Sequence, residues 1–257
     1  MKRERLYRTQ AIVLRRSDFG EADRLLTLYT PELGKFKAIA KGVRKPTSRK
    51  AGHIELFTHS QLLIAKGRTL DIVTQAETIE AFPSLREDLW RTTHAYYAAE
   101  LLDRFTEEGI ENRPLFDLLL AKLGWLSEER DLDLVTRFYE LRLLALVGYR
   151  PQLFQCVGCH TQIESATCLF SSTEGGILCS RCGEGQPLAQ EMPLNALKAL
   201  RFMQTNDYRL CRRLRLGRAL HGELEDIMQR YITYLLERKL KSVEFLRRLR
   251  RESMVGA

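Results

Sequence analysis

The sequence predicts an α+β fold: a small five-stranded barrel first, then a mainly helical domain carrying a compact insertion with four paired cysteines. Three observations carry this. Five short apolar or alternating runs, separated by turn residues, fill positions 9–80 without strong helical periodicity. From Leu85 onward apolar residues recur at helical spacing. Two Cys-x-x-Cys pairs, Cys156/Cys159 and Cys179/Cys182, stand 19 residues apart within the helical stretch. The expected division is 1–80 for the barrel and 81–257 for the helices, with the insertion at 152–190.

The strands follow in order. Ala11-Ile12-Val13-Leu14 is an apolar run closed by a polar turn at Ser17-Asp18-Phe19-Gly20. Residues 24–29 form the second strand and end at Thr30-Pro31-Glu32-Leu33-Gly34, where Pro and Gly mark a turn. In the third, Phe36, Ala38 and Ala40 fall on one face, with Lys35, Lys37, Ile39 and Lys41 on the other. Residues 55–64 and 70–79 supply the last two, around a turn at Lys66-Gly67-Arg68. The OB-fold is the commonest such barrel that meets nucleic acids; an SH3-like barrel has a similar strand count.

Pro83 marks a change of texture. Leu85, Leu89, Thr93, Tyr97, Leu101 and Phe105 trace one helix, 114–126 a second that opens on Pro114, and 132–147 a third closing at Gly148. Helix returns over 191–257, with a long charged segment around 222–238. At the end, Leu240, Val243, Leu246 and Leu249 make an amphipathic stripe expected to pack back onto the helical bundle.

With 257 residues the chain exceeds the usual single domain, and 44% apolar with 29% charged residues excludes bulk disorder. Apolar runs such as 118–121 and 143–147 fall far short of the roughly 20 residues that cross a bilayer. The basic segment 1–8 leads into no apolar h-region, so a cytoplasmic location without membrane association is expected. There, six cysteines serve as metal ligands or free thiols more readily than as disulfides.

Each Cys-x-x-Cys turn can aim two sulfurs at one ion, and the Gly175-Gly176 turn lets the chain double back. Four protein ligands leave no open position, so one structural Zn2+ on Cys156, Cys159, Cys179 and Cys182 is the expectation. Few apolar residues lie between 156 and 190, so the metal is expected to replace a missing core. Three alternatives compete. Residues 156–160 also read as a haem-attachment Cys-x-x-Cys-His, which leaves the second pair unexplained. A redox dithiol wants a strand before its motif, and 151–155 is not convincingly one. A degenerate knuckle holding no metal is the third. Cys168 and Cys211 lack partners at ligand spacing and read as small buried hydrophobes.

The formal charge of +8 is unevenly spread. Residues 1–80 carry 16 basic against 9 acidic side chains, and 191–257 carry 15 against 8, around an acidic middle. A polyanion responds to that local potential. Between Leu33 and Ile54 there are seven basic residues and no acidic one: Lys35, Lys37, Lys41, Arg44, Lys45, Arg49 and Lys50. On a barrel they would form a positive ridge tracking a phosphate backbone, or a merely solvated charge run. Phe36 and Phe57 could stack on bases, though burial in the barrel is the plainer reading. A second cluster holds Arg209, Arg212, Arg213, Arg215 and Arg218, some of which could pair with Glu223 or Glu225; Arg212, Arg213 and Arg215 join the candidate DNA contacts.

These residues together resemble a known family. Ala11-Ile12-Val13-Leu14, Gly20-Glu21-Ala22-Asp23-Arg24-Leu25-Leu26-Thr27, Thr30-Pro31-Glu32-Leu33-Gly34 and Ala40-Lys41-Gly42-Val43-Arg44-Lys45-Pro46 are similar to the bacterial RecO recombination mediators. So are the cysteine pairs and Lys241-Ser242-Val243-Glu244-Phe245-Leu246, so the likeness spans nearly the whole chain. The resemblance implies an N-terminal OB-fold, a helical domain with a lodged zinc segment, and binding to single- and double-stranded DNA. It further implies annealing of complementary strands, and partnership with RecR and with the acidic C-terminal tail of single-stranded-DNA-binding protein. Together these load the RecA recombinase in DNA repair, without catalysis. Two rivals are a metal-dependent nuclease, which needs carboxylates converging on an open metal site, and an RNA-binding module. The acidic residues at 128–129 and 131–133 read as helix caps and solvated surface.

Overall fold

The computed structural model describes residues 6–163, 168–186 and 188–255. Strands β1 (Leu6–Phe19), β2 (Asp23–Thr30), β3 (Gly34–Ala40), β4 (His59–Ala65) and β5 (Asp71–Glu80) close a barrel in the order β1-β2-β3-β5-β4. Pairing is antiparallel except at the β3–β5 seam, where Ala38 faces Asp71 and Ile39 faces Ile72 in parallel. This is the OB-fold. β1 pairs with both β2 and β4, and its register shifts between Val13 and Arg15, a bulge that bends one long strand around the closure.

The barrel core explains the sequence pattern. Ala11, Val13, Leu26, Leu28, Ala38, Ala40, Leu62, Ile64 and Val73 fill the interior. Ile12 and Leu14 lie outside that cluster yet are equally buried, because the helix Leu89–Phe105 packs against β1. A strand covered on both faces reads as a continuous apolar run, which is why 11–14 did not alternate. Gly34 turns β2 into β3 at φ +60°, and a Cβ there would stand 1.8 Å from the Ile110 carbonyl oxygen, so no side chain fits.

Several boundaries differ from expectation. β1 continues through Ser17, Asp18 and Phe19, where a turn was expected. Residues 55–58 are not strand: Ala51–Ile54 form a 3-10 turn whose Ile54 joins the barrel core, and Phe57 takes φ +64° before β4 starts. The helix traced from Leu85 is two, α1 (Ser84–Glu87) and α2 (Leu89–Phe105). Asp88 separates them by accepting the N–H groups of Trp90 at 2.8 Å and Arg91 at 3.0 Å. That cap stabilises α2 by about 1 kcal/mol, and helical periodicity does not reveal it.

By packing, the chain forms two compact units, Met1–Glu128 with Ser242–Ala257, and Glu129–Lys241. The first holds the barrel, α1, α2, α3 (Arg113–Glu128) and the last helix, α9 (Lys241–Val255). α9 therefore packs with the barrel unit, fixed at its start where Ser242 donates N–H and Oγ–H to Glu100 of α2 at 2.9 and 2.6 Å.

The second unit contains α4 (Leu132–Leu146), α6 (Leu194–Thr205), the short α7 (Tyr208–Cys211) and α8 (Arg218–Leu236). Between α4 and α6 lies the insertion: β6 (Cys168–Ser171), β7 (Gly176–Cys179) and β8 (Ala189–Met192) in the order β7-β6-β8, with α5 (Ser180–Gly183). Its core is not missing. Phe170, Ile177 and Leu178 are buried, and the Phe170 ring meets Tyr231 of α8 edge-on at 5.4 Å. The insertion borrows its hydrophobic support from the helices, which corrects the expectation that a metal alone replaces it.

Candidate metal centre and nucleic-acid surface

Cys156 and Cys159 sit on the turn after Gln155, Cys179 ends β7, and Cys182 lies in α5. Their sulfurs all lie within 4.8 Å of one another, and Cys159 Sγ is 3.8 Å from Cys179 Sγ. A tetrahedral ion with 2.3 Å metal–sulfur bonds has sulfurs about 3.8 Å apart, so the spacing fits four-thiolate ligation. Cys156 is buried and accepts the Cys179 N–H at 3.3 Å. Burial raises its thiol, but N–H donors from Cys179, Cys159 and Gly158 outweigh that and hold it below the ordinary range. Gly158 packs closely on the site: a Cβ there would lie 3.1 Å from Cys182 Cβ and 3.2 Å from its sulfur, so Cys182 would have to shift by a few tenths of an ångström.

The convergence brings all four predicted ligands to one point and favours the metal reading over haem attachment or an isolated dithiol. Cys168 and Cys211 are fully buried elsewhere. Arg201 of α6 clamps the knuckle. Its Nε donates to the Leu153 carbonyl at 2.6 Å, its NH2 group donates to the Ile163 carbonyl, and its guanidinium covers the Phe154 ring at 5.2 Å. Among the described residues, no other group of three or more His, Cys, Asp or Glu side chains converges in this way.

The seven cations of 35–50 separate into three kinds. Lys35 is buried, which corrects its placement on an exposed ridge: its ammonium donates to Oδ1 of Asp103 at 3.0 Å and to the Asp103 carbonyl. Lys50 is also drawn inward, donating to the carbonyls of Lys41 at 3.2 Å and Val73 at 3.0 Å, and burial lowers its pKa. Lys37 pairs with Glu108, and Arg44 with Asp18 at 3.4 Å, both near the surface. Lys41, Lys45 and Arg49 are exposed and make no ion pair among the described residues. Phe36 is half-buried against the barrel core, and Phe57 is buried edge-on against Tyr96 at 5.0 Å.

Three further features lie beside these cations, outside the run 35–50. The β1–β2 turn is tied to the 41–50 loop, where Gly42 N–H donates to Asp23 at 2.7 Å and Arg44 N–H to the Ala22 carbonyl at 2.9 Å. Phe19, 50% exposed, stands at that turn. Lys66 and Arg68 are exposed on the β4–β5 turn, which Asp71 pins by accepting the Gly67 N–H at 3.1 Å and the Tyr7 hydroxyl at 2.6 Å. The β3–β5 seam sets this turn beside β3. OB-folds use these two connections to hold oligonucleotides, so a Lys-Gly-Arg turn between strands was the available signal.

In the second unit Arg212 pairs with Glu129 at 3.0 Å, while Arg213 and Arg215 are exposed. His221 donates to Asp131 at 3.2 Å, an ion pair when the imidazole is charged.

A closed OB barrel with cationic loops, joined to a helical unit that carries a four-thiol knuckle, defines a modular OB-fold protein with a candidate metal centre. Residues 1–82 match the family model for the Recombination protein O N terminal, and 86–244 that for its C terminal. A DNA repair protein RecO of Roseiflexus sp. (strain RS-1) is 48% identical over 244 residues, 95% of this chain and 86% of the relative. Those of Pelotomaculum thermopropionicum (42%; 95% of this chain and 94% of the relative) and Dehalococcoides mccartyi strain 195 (37%; 96% and 98%) are also similar. The chain belongs to the RecO family of DNA repair proteins. No helix among its described residues is long and apolar enough to cross a membrane.

Proposed function

We propose that this chain is a non-enzymatic recombination mediator that binds single- and double-stranded DNA, anneals complementary strands and helps to load a recombinase. The observation that carries the reading is the cationic loop surface of the barrel. Lys41, Lys45 and Arg49 are free to meet phosphates, and Lys66 and Arg68 extend the surface across the β3–β5 seam. Annealing needs no bond chemistry. Neutralising phosphates on two strands lowers their repulsion and raises their encounter rate.

In this reading the four cysteines hold one structural zinc ion. When bound, it supplies rigidity to the two Cys-x-x-Cys turns. The partners are RecR and the acidic tail of single-stranded-DNA-binding protein. Exposed Phe202 and Leu210, with Arg209, Arg212 and Arg213 around them, suit an acidic peptide with an apolar end.

The test is annealing of complementary oligonucleotides coated with single-stranded-DNA-binding protein, with matched RNA as competitor and labelled DNA incubated in magnesium or manganese. Accelerated annealing with intact DNA is expected. A strong preference for RNA, or cleavage that follows the protein through purification, would overturn the reading.

A further inference from the structure

α9 carries more charge than its packing requires. Leu240 just before it, and Val243, Leu246 and Leu249 within it, form the buried stripe. On the solvent side Arg247, Arg248 and Arg251 are exposed within one turn. Arg248 pairs with Glu252 at 3.3 Å and covers the Phe245 ring at 5.4 Å; Arg251 Nε donates to the Arg247 carbonyl at 3.4 Å. The helix dipole does not account for these cations. It favours them in the last turn, and the last turn of α9 has no basic residue.

α9 also has a fixed place beside the barrel. On α2, Glu100 receives Ser242 of α9. One turn further along α2, Asp103 receives Lys35 of β3 at 3.0 Å and Arg15 of β1 at 3.3 Å. A single helix thus ties α9 and two barrel strands into one compact unit. The 209–218 arginines belong to the other unit, whereas α9 and the barrel loops keep a set separation.

We propose that α9 is a second polynucleotide rail. Arg247, Arg248 and Arg251 engage the phosphodiester backbone of one strand while the barrel loops engage another. The inference rests on the DNA-binding reading of the barrel. It gives annealing a geometry, since one body then holds two strands at once. Arg247 and Arg251 stand about 6 Å apart along the helix, enough for separate phosphates.

The test uses the full chain carrying R247A/R248A/R251A, with the three lysine replacements as a charge-preserving control. Circular dichroism and metal content confirm that each variant folds. Titration with labelled oligodeoxythymidylate is expected to show two strands per chain falling to one. The salt slope of total DNA binding should fall by about 2, from three contacts at about 0.7 each. Annealing should slow at least tenfold, and lysine should restore most of it. In the unmodified chain, an oligonucleotide bearing iododeoxyuridine should photocrosslink to the 241–255 peptide. Unchanged stoichiometry and annealing in the alanine variant would overturn the proposal while leaving barrel binding intact. Loss of polyglutamate binding alongside unchanged DNA binding would overturn it too, assigning α9 to an acidic protein. If the unmodified chain bound no DNA, the proposed function itself would fall, and this inference with it.

Discussion

Replacing Lys35 by methionine separates a structural lysine on β3 from the exposed cations of the loop that follows it. The Lys35 side chain is 10% exposed and that of Asp103 14%. Removing one partner from a buried pair costs about 3–5 kcal/mol, because the other charge is left uncompensated. Two features lower that figure here. Asp103 keeps Arg15, whose own side chain is 67% exposed and well screened, and methionine refills the volume of the lysine stem. The expected loss is therefore about 3 kcal/mol, a fall in Tm of roughly 6–12 °C for a domain of this size. The salt dependence of DNA binding should stay at its wild-type slope. Replacing Lys41, Lys45 and Arg49 together by alanine should do the reverse. Stability should change by within about 0.5 kcal/mol, while the log–log salt slope falls by about 2 to 2.7. Urea melts and fluorescence anisotropy over a salt series measure both quantities. A Lys35→Met protein with wild-type stability and a slope reduced like that of the triple variant would refute the reasoning.

Two further outcomes follow from the second unit. Cys179→Ser should abolish stoichiometric metal binding and lower the Tm of this unit, yet leave the β6–β7 sheet formed, because Phe170 still rests on Tyr231; hydrogen exchange at 168–179 checks this. His221→Gln should destabilise most in mildly acidic solution. The hydrogen bond that His221 donates to Asp131 raises the His221 pKa, so its contribution is complete below the ordinary value of 6.5 and lost as pH rises through the raised one. Burial raises Asp131, but bonds from His221 and the Leu134 N–H outweigh it and leave it lowered, so its share is lost only in strong acid. The Tm difference between wild type and variant should be widest near pH ~5 and close toward pH ~9; a gap that widens with alkalinity would reverse the assignment.

What the sequence revealed, and what it hid, follows the range of the interactions concerned. The strands were legible because Pro31, Gly34 and Gly67 punctuate them locally, and the metal centre because each Cys-x-x-Cys is a local turn. The Asp88 break was not, since its neighbours continue the helical period on both sides. Charge was the least legible property. Seven cations without an acid between Leu33 and Ile54 read as one ridge, but their partners come from afar. Asp103 lies 68 residues from Lys35 and is delivered by α2. Asp18 reaches Arg44 across the neighbouring β1, β2 and β3 strands, and Glu108 is brought to Lys37 by the segment that follows α2. A charge run in sequence is an upper bound on a charged surface.

The cations that remain free bear on how DNA is held. Lys41, Lys45, Arg49, Lys66 and Arg68 sit on loops and the exposed Arg8 on β1, while the β3 cations Lys35 and Lys37 are engaged within the protein. In that role loop cations would meet phosphates, which carry no sequence information, while Phe36 is half-buried on the barrel core and Phe57 is buried. Phe19 alone among these three phenylalanines offers an exposed face, enough to favour an unpaired base by stacking without selecting its identity. In the proposed role such a surface would bind any sequence, prefer open strands modestly and release them as salt rises. An annealing protein needs those properties, because each strand must be held long enough to meet its complement and then surrendered to the duplex.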